Sequence, residues 1–409
     1  MAAVAGTGSS VEADSQTAAT EAAQRALSSA GLLRCDIALV FTTSKHDPKA
    51  IRDGLRAALG PETRIVGGYA VGVITNDYLG YDGYEVGVAV FSVSGEAKMN
   101  VFLETGLAYR EEAVGEALGE QLAAADPDRS AGVVILYDSV NRTRGSYRMN
   151  MATPLLQGLE YAFGSRWPTL AGAGLSGDMK GAETFQWYDD EVLQQTALAL
   201  TVSGSLRMDT VIMHGCRPAS DYRTITATDG STVLTIDDEP AIDVIAGLLG
   251  ADSEKTSNDY AFFVTLGVNR GDKWGEFHEE LYQNRLCLRV DRNRRGLVMF
   301  EPDLLPGDEV QLMTRRIDSE AIAERAAGLL ATVAAAGRRP IFALYIDCAG
   351  RASAYSGIDE EDGVAVQFAL GEVPLLGLYS GVEIAKVGDA PCALDWTGVL
   401  CVFSETEGA

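Results

Sequence analysis

Apolar positions along this chain fall into blocks that switch between a helical and a strand period. Residues 13–30 are rich in strong helix formers and stop at Gly31, which predicts a helix closed by a left-handed cap. Residues 35–43, CDIALVFTT, are apolar and β-branched enough for a buried strand, and 47–59 space Ile51, Leu55 and Leu59 along one helix face. A glycine-punctuated apolar stretch follows, IVGGYAVGVI at 65–74, and then strands at 84–94 and 98–107.

After a helix at 110–125, striped by Val114, Leu118 and Leu122 and stopped at Asp126-Pro127, the order restarts. A strand at 131–139, a helix at 149–164, a glycine strand at 169–177 and further strands to His214 form a second unit. A third begins with a helix at 320–336, a strand at 340–350 and a helix at 359–371, and reaches the glycine strand VPLLGLYSGVEI before a last strand at 397–405. Between the second and third units lie a hairpin around Asp229-Gly230, a short helix at 241–249, a polar link at 253–259 and strands over 286–314. The glycine strands admit two readings: backbones pressed close together, or space left for a ligand.

The fold class expected is α/β, or α+β by stricter sorting: repeated strand-helix-multistrand units whose sheets, each covered by helices on one face, pair into layered sandwiches. With 409 residues the chain exceeds one ordinary core. A division into residues 1–216, holding units at about 35–107 and 131–215, and residues 217–409 follows.

Composition narrows the function. A formal charge of -25, from 33 basic and 58 acidic residues, disfavours nucleic acid and anionic membranes as partners. No apolar run reaches the ~18 residues of a membrane span, and the N-terminus lacks the features of a removed leader, so a cytoplasmic protein is expected. The six cysteines form no CxxC pair, and the three histidines stand in no helical ligand spacing, leaving a local tetrahedral zinc site without support.

The residues also resemble a known family, the FIST sensory proteins. The resemblance rests on RIVGGYAVGVI at 64–74, on the junction HGCRPASDYRTITATDGSTVLTIDDEPAIDVI at 214–245, and on LPGDEVQLM, DCAGRA, LLGLYSGVEIA and LDWTGVLCVF toward the C-terminus. It implies an N-terminal and a C-terminal FIST domain, small-molecule binding and signal transduction through a protein partner in trans; some members resemble haem-carrying nitric-oxide sensors. Two departures stand out. Val382 separates Gly381 from Glu383, and Asp395-Trp396 precedes Thr397 where the family commonly has His-Asn.

Candidate ligand-binding residues are Cys348, Arg351, Gly377, Gly381, Glu383, Asp395 and Thr397. Cys348 and Arg351 end a strand, where α/β folds present binding loops, and a guanidinium there suits an amino acid or another small carboxylate. A carboxylate such as Glu383 beside a buried strand must be paired or face a cavity. For metal, His214 and Cys216 are the candidates, since either side chain can ligate haem iron. Alternatives to a stand-alone, non-catalytic sensor are a cysteine-dependent enzyme using Cys348 and an acidic protein-interaction scaffold.

Overall fold

The computed structural model describes residues 3–126, 132–143, 145, 147–250, 264–315 and 318–406. Pro127 and the polar link at 253–259 lie outside the described residues. The chain begins with β1 (Val4–Ser10), α1 (Ser15–Ala30), β2 (Ile37–Thr42), α2 (Pro48–Leu59) and β3 (Arg64–Tyr69). A hairpin of β4 (Gly72–Thr75) and β5 (Leu79–Tyr81) and the strand β6 (Val86–Ser92) follow. Next come β7 (Lys98–Thr105), α3 (Glu111–Ala125), β8 (Gly132–Asp138), the short β9 (Val140–Asn141) and β10 (Arg148–Met149), α4 (Ala152–Phe163) and β11 (Thr169–Leu175). They are followed by β12 (Gln186–Tyr188), β13 (Glu191–Leu193) and β14 (Thr196–Ser203).

After β15 (Leu206–Met213) the chain detours through β16 (Arg217–Pro218), β17 (Arg223–Asp229), β18 (Thr232–Ile236), β19 (Glu239–Pro240), α5 (Ala241–Leu248), β20 (Thr265–Asn269), β21 (Tyr282–Asp291), β22 (Gly296–Met299) and β23 (Glu309–Thr314). It returns with α6 (Ser319–Ala335), β24 (Arg338–Cys348), α7 (Ser353–Ser356), α8 (Asp362–Leu370) and β25 (Leu375–Ser380). The last strands are β26 (Val382–Val387), β27 (Ala390–Leu394) and β28 (Gly398–Thr406).

Local chemistry sets the helix ends. Asp14 caps α1 by accepting from Thr17 N, and Gly31 closes it in the left-handed region at φ 65°, as its sequence requires. Asp47 caps α2 ahead of Pro48.

Strand alternation then divides the apolar side chains between two sides of each sheet. Leu39 and Phe41, Val134 and Leu136, and Leu344 and Ile346 meet in one shared core. Their neighbours face helices instead: Val40 packs with α1 and α2, Ile135 with α3 and α4, Tyr345 with α6 and α8. Three layered sheets therefore enclose a common core, with helices outside.

Each six-stranded sheet has a central parallel pair, β2–β3, β8–β11 or β24–β25, and each borrows a hairpin from elsewhere in the chain. β4–β5 join the sheet of β25, β26–β27 that of β11, and β12–β13 that of β3. Here the glycine stretches at 65–74 and 375–385 depart from their expected form as single strands. Each breaks in the middle, its second half crossing to a different sheet through the bonds Val71 N to Tyr379 O (3.0 Å) and Gly381 N to Gly174 O (2.9 Å). Likewise β7 and β15, expected to close the first and second units, pair with β14 and β28 of the units that follow them.

The glycines answer to close approach at one register position. Gly67, Gly172 and Gly377 stand opposite Val40, Ile135 and Tyr345 across the parallel pairs. A Cβ there would lie 1.9, 2.4 and 2.7 Å from the carbonyl oxygens of those partners. Any side chain would wedge the pair apart.

The residues of the detour build an eight-stranded sheet with its own core of Ile225, Val233, Leu266, Leu297 and Val310. Buried polar contacts fasten it to the rest. Glu301 accepts from Ala152 N and Thr153 N (2.9 and 2.8 Å) at the start of α4, and Arg285 Nε donates to Asp303 while its NH2 donates to Ala393 O (both 2.6 Å). The chain leaves β15 at Met213 and enters this sheet at Arg217. Among the described residues no helix is long and apolar enough to cross a membrane.

Candidate functional site

The C-terminal ends of two parallel pairs, β8–β11 and β24–β25, converge on a cavity of about 130 Å3. Ser139, Ser176, Cys348 and Ser380, each at or just past one of those strand ends, form its floor. Leu286 and Leu288 of β21 and Phe300 roof it from the eight-stranded sheet. Tyr147 and Met179, 54% and 43% exposed, stand at its mouth together with Asp178. Ligands of open α/β sheets bind at such strand ends, because loops there are free to vary while the strands hold them in place.

Two of the expected site residues, Cys348 and Gly381, line this cavity. Glu383 lies behind Ser380: its Oε1 is 2.7 Å from Ser380 Oγ, which is also 3.1 Å from Asp347 O. One hydroxyl hydrogen cannot serve both acceptors. Burial pushes Glu383 well above the usual carboxylate range, so the satisfied arrangement has the neutral acid donating to Ser380 and Ser380 donating to the carbonyl. Thr397 supports this arm, its N–H donating to Glu383 Oε2 (3.4 Å) and its hydroxyl to Asp395 O (2.9 Å).

Asp395 points to the roof, accepting from Leu286 N at 2.8 Å and lying 3.7 Å from Arg285. Burial raises its pKa to about 6. Gly377 serves the close strand pairing described above.

Arg351 is elsewhere engaged. Its guanidinium is buried, with Nε donating to Asp362 (2.7 Å), NH1 donating to His214 O and Trp396 O (both 2.9 Å), NH2 bonding Asp362, and Asp347 at 3.3 Å. It does not line the cavity. A carboxylate-binding role for it would require breaking a paired, desolvated cluster.

Cys348 is held as a thiol. Burial pushes its pKa well above the ordinary value, outweighing the backbone donors of Gly350 and Trp396. A thiol in that state is a poor nucleophile. Burial raises the Cys392 thiol too, but Cys392 is the partly exposed one of the six, so iodoacetamide at neutral pH is expected to modify it ahead of Cys348. Peptide mapping that finds Cys348 alkylated first would overturn the assignment.

Haem does not fit the residues nominated for it. His214 Nδ1 accepts from Cys216 N (2.9 Å), which leaves the proton on Nε2, directed to Glu279 O at 3.0 Å. Neither ring nitrogen keeps a lone pair for iron, and Cys216 is fully buried with its thiol raised to about 12 by desolvation. Among the described residues no group of three or more His, Cys, Asp or Glu side chains is disposed to hold a metal ion.

The floor serines were absent from the sequence expectations, though a signal existed. Two of the glycine stretches continue directly into Ser-Gly, at Ser176-Gly177 and Ser380-Gly381, and the strand before one of them ends in Asp138-Ser139. The roof residues carried no such signal, being ordinary apolar strand positions.

Several known proteins are similar to this chain. Uncharacterized protein Rv0628c of Mycobacterium tuberculosis is 22% identical over 244 residues, 58% of this chain and 61% of that protein. Uncharacterized protein Mb0898c of Mycobacterium bovis is 23% identical over 243 residues, 57% of this chain and 60% of its own length. This chain thus spans about 60% of the length of these curated relatives. Among solved structures, a cyanuric acid hydrolase from A. caulinodans aligns over 99% of both chains at 11% identity and TM-score 0.33, too remote a likeness to carry an argument.

Family models are more decisive: the FIST N domain matches residues 36–239 and the FIST C domain 241–386. FIST domains are generally regarded as small-ligand-sensing, signal-transduction domains. With both domains matched in order along it, the chain belongs to the FIST family.

Proposed function

We propose that this protein senses a small molecule in the cavity between the β8–β11 and β24–β25 strand ends, without transforming it chemically. The observation that carries this reading is the composition of the wall: both strand pairs and the eight-stranded sheet contribute to one cavity. An occupant would touch all three and shift their relative stability, which is the physical requirement for a ligand to bias a conformation. Signal output would pass to a separate protein partner. The common plan of the three six-stranded sheets supports their reading as copies of one unit, and the detour into the eight-stranded sheet supports a domain boundary near 216.

The test is a thermal-shift screen of small molecules on the wild type and on Leu288→Trp, which fills the cavity from its half-buried roof position. Ligands that raise the wild-type melting temperature should fail to raise that of the variant. They should also slow hydrogen exchange at residues 286–288. A ligand that stabilises both proteins equally would place the site elsewhere.

A further inference from the structure

We infer that the cavity selects a small primary amine carrying a hydrocarbon body, because its wall presents hydrogen-bond acceptors whose own hydrogens are already committed inside the protein. This inference rests on the sensing role proposed above and deepens it. Ser139 Oγ donates to Leu175 O at 2.6 Å, and Ser176 Oγ donates to Asp178 O at 2.8 Å. Ser380 Oγ has only Asp347 O and Glu383 Oε1 as acceptors for its hydrogen, and either choice consumes it. All three hydroxyls on the floor therefore turn lone pairs, not hydrogens, toward an occupant.

Four backbone donors around the floor are spent as well. Ser139 N donates to Leu175 O (3.1 Å), Val140 N to Asp138 Oδ1 (3.0 Å), Gly381 N to Gly174 O (2.9 Å) and Cys348 N to Thr397 O (3.3 Å). Among the described residues that line the cavity there is no Lys, Arg or His, while Asp178 stands at the mouth. A carboxylate entering here would lose its water and find no cation among the described lining residues to replace it, and Arg142 beside the mouth is already engaged, its Nε donating to Gly181 O at 2.6 Å. An ammonium group meets the opposite conditions: three acceptors to receive its hydrogens and a carboxylate on its path.

The rest of the wall fixes the body of the ligand. Val140, Met149, Leu286, Leu288 and Phe300 are apolar, and a cavity of about 130 Å3 is close in size to an engineered cavity of about 150 Å3 that admits benzene. A branched alkyl chain of a few carbons or a single ring fits that space.

Calorimetric titration of the full chain with isoamylamine, isoamyl alcohol and isovalerate, and with benzylamine and benzoate, tests the inference. The amines should bind about ten- to a hundredfold more tightly than the carboxylates of matching shape, the range expected when a charged donor gains or lacks its partners. Isovalerate or benzoate binding as tightly as its amine would overturn the amine assignment. If only the alcohol binds, and Leu288→Trp removes that binding, the cavity stands as the site and the amine class falls. Amine binding that survives Leu288→Trp would overturn the cavity as the site and the inference with it. If none of the five binds the wild type at millimolar concentration, both fall.

Discussion

Replacing Arg351 with methionine is expected to destabilise the protein by about 3–5 kcal/mol, the cost of leaving buried charges without their counter-ion. The guanidinium is 1% exposed and holds together two acids and two carbonyls drawn from distant parts of the chain: Asp347, Asp362, His214 O and Trp396 O. Without it, Asp347 and Asp362 face each other across a low-dielectric gap. Asp362 then loses the guanidinium bonded to it, neither acid can stay charged, and the carbonyls lose their donors.

Lysine would not rescue the site, because a single ammonium cannot reach acceptors laid out for a planar fork. Removing an acid together with the base, as Arg351→Met with Asp362→Leu, should recover part of the loss. Urea denaturation of the full chain measures these differences directly. A loss under about 1 kcal/mol for Arg351→Met would mean that the cluster is hydrated and carries little of the fold.

Stability is expected to fall steeply between pH 5 and 7. Burial raises Asp138 and Asp395 to about 6 and Glu301 to about 7. A group whose folded pKa lies above its unfolded value binds its proton more tightly in the native state. Its contribution is full below about pH 4 and is lost as pH rises to the folded value.

His214 works in the opposite sense. Burial lowers it to about 4, so the native state resists its protonation and that contribution disappears as pH falls from about 6.5. Three carboxyls, two of them only partly protonated at that pH, against one imidazole leave about one and a half protons taken up on folding near pH 5.5, a slope of about 2 kcal/mol per pH unit. Asp347 and Glu383, also raised by burial, add to the same direction.

Denaturation midpoints measured across this range should therefore decrease with pH, and Glu301→Gln should flatten the slope by about one proton whatever it does to the absolute stability. A midpoint that is level or rising from pH 5 to 7 would show that these carboxyls are not buried as described.

Much of the fold was legible in the residues for a local reason. The cap at Gly31, the Asp47-Pro48 start of α2, and the apolar strands ending at Thr42, Asp138 and Cys348 each depend on a few neighbouring positions. The glycine stretches were legible as anomalies, but not as what they are. That Gly67, Gly172 and Gly377 each lie under a carbonyl of the adjacent parallel strand is a fact of register. Register depends on which strands pair, and pairing is long-range.

For the same reason Arg351 was misread from its position beside Cys348. Adjacency in sequence at the end of a strand says nothing about which way the two side chains turn. Here the thiol meets the cavity while the guanidinium turns to His214 O, 137 residues earlier in the chain.

By itself the sequence determined most of the helices and strands, their order along the chain, the FIST motifs and an acidic charge that disfavours polyanions, because all of these reside in composition, spacing or short-range preference. Only the tertiary structure decided that hairpins cross between sheets, that strand ends more than 200 residues apart close one cavity, and that the hydroxyl hydrogens on its floor are already committed. Such properties arise from contacts between distant segments, whose geometry no local pattern encodes.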